Sequence, residues 1–122
     1  MSEIKRTGPP APQNVKGRTF TWTAPLNAMP PKPWVEFFGH TKDRSIDCSP
    51  DHVRFYQATL IFDSDEAHVA VWMEFIEKWM ASANERFAKW EEEQRLQKKA
   101  KEEEQIDPAE RLRRAAEKFK NL

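Results

Sequence analysis

Between Ser64 and Asp107 the chain contains neither glycine nor proline; all three glycines and all nine prolines lie outside that span. These two residues interrupt helices most readily, at about 1 and 3 kcal/mol each relative to alanine. So long a stretch without either predicts one helix over residues 64–104. Its apolar pattern agrees. Val69, Met73, Ile76, Met80, Ala83, Phe87 and Trp90 alternate spacings of four and three, which makes a heptad-like seam. His68, Trp72, Phe75 and Trp79 form a second row, read as the rim of the buried arc. At about 100° per residue the two rows cover roughly 160°, then narrow to the single line of Phe87 and Trp90.

The ends of this helix carry their own signals. "DSDE" at 63–66 reads as a capping box, with Asp63 as the cap and Glu66 reaching back. After Trp90 the seam fails, because Gln94, Gln97 and Lys101 fall on its continuation. Residues 91–106 therefore read as a charged helical extension. "DPAE" at 107–110 signals a fresh start: an aspartate cap, proline at the first helical position, and a glutamate to close the box. The short helix expected over 108–121 places Leu112, Ala115, Ala116, Phe119 and Leu122 on one face. No internal repeat is visible.

On the other side of the long helix, "RTFTWT" at 18–23 alternates aromatic and threonine residues, as a strand does. Prolines at 25, 30, 31 and 33 exclude regular structure in the next segment. "WVEFF" at 34–38 reads as a second strand. After a polar loop, residues 53–62 read as a central strand. Val53, Phe55 and Ile61 point one way; Tyr56, Ala58, Leu60 and Phe62 point the other. Residues 1–16 hold three prolines and little apolar surface beyond Ile4, so they read as a flexible N-terminal tail. The expected fold is α+β: a small three-stranded antiparallel sheet packed on a long amphipathic helix, with a short C-terminal helix. The expected divisions are the 1–16 tail, a 17–90 core domain, the 91–106 extension and the 107–122 amphipathic helix.

Charge excludes some partners. The chain balances 20 basic against 20 acidic residues. Residues 1–60 carry 8 Lys/Arg against 5 Asp/Glu, and residues 61–122 carry 12 against 15. That offers no broad basic surface for duplex binding. Cys48 is the only cysteine, so no internal disulfide is possible, which fits a reducing compartment. The N-terminal segment has no apolar signal region, and no run approaches the roughly 18 apolar residues of a membrane span. A cytoplasmic protein is expected.

Catalytic chemistry finds no foothold. His40, Cys48 and His52 share one loop region, but H-x7-C-x3-H is not a zinc spacing and lacks a fourth ligand. For Cys48 and His52, nothing in the sequence indicates a group that would orient the base or activate the thiolate. No glycine-rich phosphate loop exists. An enzyme is not expected, nor a metal, a cofactor or a small-molecule substrate.

Binding is the better reading. The end of the seam, Phe87 and Trp90, and the C-terminal stripe, Leu112 and Phe119, are candidate protein-interaction residues. They suit an adaptor, accessory factor or inhibitor, with a homodimer as one form. No membrane partner is expected, because the aromatic-rich turns carry Glu74 and Glu77 against only Lys78, whereas interfacial helices are usually rich in Lys and Arg. The alternative is single-stranded nucleic-acid binding. Phe20, Trp22, Trp34 and Tyr56 fall on expected strands with Arg18 and Arg54 among them, and exposed aromatics on a basic sheet stack bases.

The order "GRTFTWTAPL … RFYQATLIFDSDEAHVAVWMEFIEKW", over about residues 17–80, resembles the first half of phage single-stranded DNA-binding proteins of the T7 type. The resemblance implies an OB-fold barrel and single-stranded DNA as ligand. Two departures stand beside it. The chain continues as charged helix where the family has its remaining barrel strands, and it ends "EKFKNL" where the family has an acidic tail.

Overall fold

The computed structural model of the chain describes residues 3–42, 48–105 and 107–122. They fall into two compact units, Met1–Ala88 and Lys89–Leu122. The first unit holds a four-stranded antiparallel sheet: β1 (Ala11–Lys16), β2 (Thr19–Pro25), β3 (Arg54–Tyr56) and β4 (Thr59–Ser64). Their order across the sheet is β1-β2-β4-β3. Helix α1 (Lys32–Gly39) lies between β2 and β3 in the chain, and α2 (Val69–Glu104) follows β4. The second unit holds the end of α2 and helix α3 (Pro108–Phe119).

The sheet has four strands where three are expected: two are gained and the one expected over 34–38 is lost. Residues 11–16, read as tail, pair with β2 through a two-residue loop, Gly17–Arg18. Gly17 takes φ 65°, as the first residue of such a loop requires. The strand hides from sequence inspection because all six of its residues are exposed. It is an edge strand bearing Pro12, and the register slips between Pro12 and Asn14, both devices that blunt an open edge. The expected strand over 53–62 is a hairpin instead. Gln57 adopts φ 52°, a left-handed turn that no glycine or asparagine announces. The turn reverses the expected facing: Phe55 pairs with Leu60 across the core face, and Tyr56 points outward, 67% exposed.

The N-terminal segment is anchored as well. Ile4 is 2% exposed, and its backbone N–H donates to Asn84 Oδ1 at 2.9 Å, while Asn84 Nδ2 donates to the Ile4 carbonyl at 3.0 Å. Arg6 bridges Glu77 at 2.8 Å. One buried side chain and paired backbone groups hold what composition alone read as tail.

"WVEFF" is helix α1, not a strand. Trp34 and Phe38 are four apart and share a face, where they are 0% and 1% exposed and stack at 5.6 Å. Pro31 caps the helix, and proline in its first turn costs little because that N–H has no partner anyway. The start of α2 also differs. Asp63 belongs to β4, where it accepts from Thr21 Oγ1 at 2.8 Å and Arg54 at 3.0 Å. Asp65 is the cap, accepting from the backbone N–H of His68 at 2.9 Å before a single 3-10 turn (Glu66–His68) leads into α2.

The sheet's inner face and the two helices enclose an aromatic core. Trp79 lies at its centre with 0% exposure, with Phe38 at 5.7 Å, Phe75 at 5.6 Å and Trp72 at 6.2 Å. It is thus core, not rim. Trp72 stacks on Phe62 of β4 at 5.8 Å. The sheet is open, with β1 and β3 at its edges. The described residues therefore do not form the closed barrel that the family resemblance implies.

Candidate contact surfaces

The sheet does not assemble the residues expected to bind nucleic acid. In the register, Phe20 pairs with Ser64 and Trp22 with Phe62, so both lie on the inner face, half-buried. Arg54 and Tyr56 lie on the outer face, opposite Ile61 and Thr59. Arg54 is paired to Asp63 there, among the threonines of β2. Arg18 sits in the exposed β1–β2 loop. Trp34 is wholly in the core, its Nε1 donating to Asn84 Oδ1 at 2.8 Å, so it is no platform for a base. The six residues are thus divided among two faces, a loop and the interior.

A cleft of about 490 Å³ is lined by Cys48, His52, Asp63, Asp65, His68 and Trp72 among others. It joins the two residues weighed as nucleophile and base, Cys48 and His52. Cys48 is 3% exposed. Asp65 Oδ1 lies 2.6 Å from His68 Nδ1, so it orients His68 rather than His52. The hydrogen bond from His68 holds the Asp65 carboxyl below the usual aspartate range. The same carboxylate caps the helix start, and capping accounts for the pair. Among the described residues no group of three or more His, Cys, Asp or Glu is arranged to hold a metal ion.

The residues expected to meet a protein partner separate into two kinds. Phe87 is only 7% exposed and belongs to the core of the first unit, a correction to its expected role. Trp90 is half-buried. Leu112 and Phe119 are the opposite, at 73% and 54% exposed on α3, and Leu122 beyond them is fully exposed. No residue of α3 is buried.

Helix α3 has a pattern that sequence inspection missed. Glu110-Arg111-Leu112-Arg113 recurs seven residues later as Glu117-Lys118-Phe119-Lys120. Each copy reads acid, base, apolar, base. At about 100° per residue, Leu112, Ala116 and Phe119 lie within one narrow arc. Arg113 and Lys120 border it on one side; on the other come Ala115 and then Arg111, while Lys118 lies about as far round as Glu117, with Glu110 and Arg114 beyond them. Arg113 and Arg114 pair with Glu110, and Lys120 with Glu117, along the exposed surface. Glu110 is held below the usual glutamate range, chiefly by the hydrogen bond from Arg113. Lys118 Nζ lies 5.4 Å from the centre of the Phe119 ring, a cation–π contact. A scan for repeats of a whole structural unit passes over a motif this short; a scan at the heptad spacing finds it.

No family model, no curated protein and no solved structure matches this chain. Among the described residues no helix is long and apolar enough to cross a membrane.

Proposed function

We propose that this is a non-catalytic binding protein, an adaptor or accessory factor, in which a closed α+β unit carries α3 as the contact element. The observation behind this reading is the uncovered stripe of α3. Leu112, Phe119 and Leu122 are all more than half exposed, while every other face of the helix is charged. Burying one such side chain is worth about 1.5–3 kcal/mol. A helix this polar elsewhere keeps such a stripe in water only at that cost, and contact recovers it. In the first unit, Phe87 and Trp34 are spent on packing. The reading shifts the contact from the end of the seam to the C-terminal helix.

A face-specific crosslink tests it. A photoreactive residue at Ala116, inside the stripe, is expected to give light-dependent adducts in the producing cell. The same group at Glu117, on the opposite face, is expected to give few. Equal yields at both positions, or none at either, would remove α3 as the contact element.

A further inference from the structure

We infer that the counter-surface of α3 is an anionic lipid surface on which the helix lies flat. The inference rests on α3 being the contact element and names what it meets. Charge placement carries it. With Leu112, Ala116 and Phe119 turned into a bilayer surface, Arg113 and Lys120 stand at headgroup level on one side and Arg111, beyond Ala115, on the other. The glutamates lie further round, where Glu110 pairs with Arg113 and Glu117 with Lys120. Cations bordering an apolar stripe, with acids remote from it, are the arrangement that interfacial helices use. Lys118 reaches back to the stripe, its Nζ 5.4 Å from the centre of the Phe119 ring. Residues 107–122 carry five cations against three acids, unlike the aromatic-rich turns of α2, where Glu74 and Glu77 accompany Lys78.

The other occupants fit less well. A second copy laid stripe to stripe would set cationic borders against cationic borders. Nucleic acid would attract the cations but leave the stripe between them in water. A protein groove would need an apolar floor with acidic rims on both sides, a more particular surface than an anionic bilayer. With 12 helical residues and few large apolar groups, binding is reversible and salt-sensitive.

The test uses the full chain and flotation with vesicles of phosphatidylcholine, with or without phosphatidylserine. Binding is expected only with phosphatidylserine at low salt, and is lost at high salt. Arg111→Gln and Lys118→Gln are each expected to lower partitioning about five-fold. Leu112→Ser with Phe119→Ser is expected to abolish it, with thermal unfolding of the first unit unchanged. Lys98→Gln on α2 serves as a control expected to bind like the parent. No binding to phosphatidylserine vesicles by the folded chain overturns the inference. So does binding that the serine pair leaves intact, or a doubling of mass in solution that the serine pair abolishes. If flotation fails while Ala116 still crosslinks to a protein and Glu117 does not, the lipid assignment falls and the contact reading stands. If both fail, both fall.

Discussion

Asn84 does more for this fold than its place in the middle of a helix suggests. Its Oδ1 accepts from the Ile4 backbone and from Trp34 Nε1, and its Nδ2 donates to the Ile4 carbonyl. One amide thereby ties the N-terminal segment and α1 to α2. All three partners would lose their bond in Asn84→Ala, and a partly buried group left unpaired costs about 1–3 kcal/mol. The expected loss is about 3 kcal/mol in urea unfolding, larger than surface truncations give. A loss under 1 kcal/mol would show that water replaces the amide there. Asparagine is a poor helix former, so its presence on the buried side of the seam was a legible oddity. Its partners were not legible, because they lie 50 and 80 residues away in sequence. Gln57 shows the same limit: a left-handed turn at glutamine leaves no mark in composition.

At the scale of elements, long periodic segments were readable and short ones were not. The span without glycine or proline does form α2, and the "DPAE" signal does open α3. "WVEFF" failed because five residues with apolar groups at i, i+1, i+3 and i+4 fit a helix turn as well as a strand, and the flanking prolines decided it. β1 failed because an edge strand exposed on both faces has no apolar alternation to read. The ion pairs of α3 give a pH test. Glu110 has its carboxyl held low by Arg113 and Arg114, so the pairing is fully present above the usual glutamate range. It is lost as pH falls through the depressed value, when the protonated carboxyl no longer holds the two guanidinium groups. The helical carbon chemical shifts of residues 108–119 are therefore expected to shrink below about pH 4. Shifts that stay constant down to pH 2, an order-of-magnitude acid limit for carboxylates, would mean that these pairs do not support the helix.

For the whole molecule, the α+β class followed from pattern, but the division of labour between the two units did not. Sequence reasoning placed the working surface at Phe87 and Trp90, where the seam outruns a short sheet. It assumed that the chain before Gly17 added nothing. With Ile4 seated and β1 in place, the first unit is larger than expected, and Phe87 falls inside it. Among the described residues, every buried apolar side chain, from Ile4 to Phe87, belongs to that unit. This predicts how the chain responds to truncation. A chain ending after Trp90 keeps all of these buried side chains and the four described strands. What it loses is a solvated helix stretch, whose exposed pairs contribute a few tenths of a kcal/mol each, and α3, which buries nothing. Its urea unfolding is expected to remain one cooperative transition, within about 1 kcal/mol of the full chain. The same fragment is expected to lose flotation with phosphatidylserine vesicles entirely. A fragment that unfolds with a loss of more than about 3 kcal/mol would show that the fold depends on residues 91–122. A fragment that folds and still floats would place the lipid contact on the first unit, and α3 would need another role.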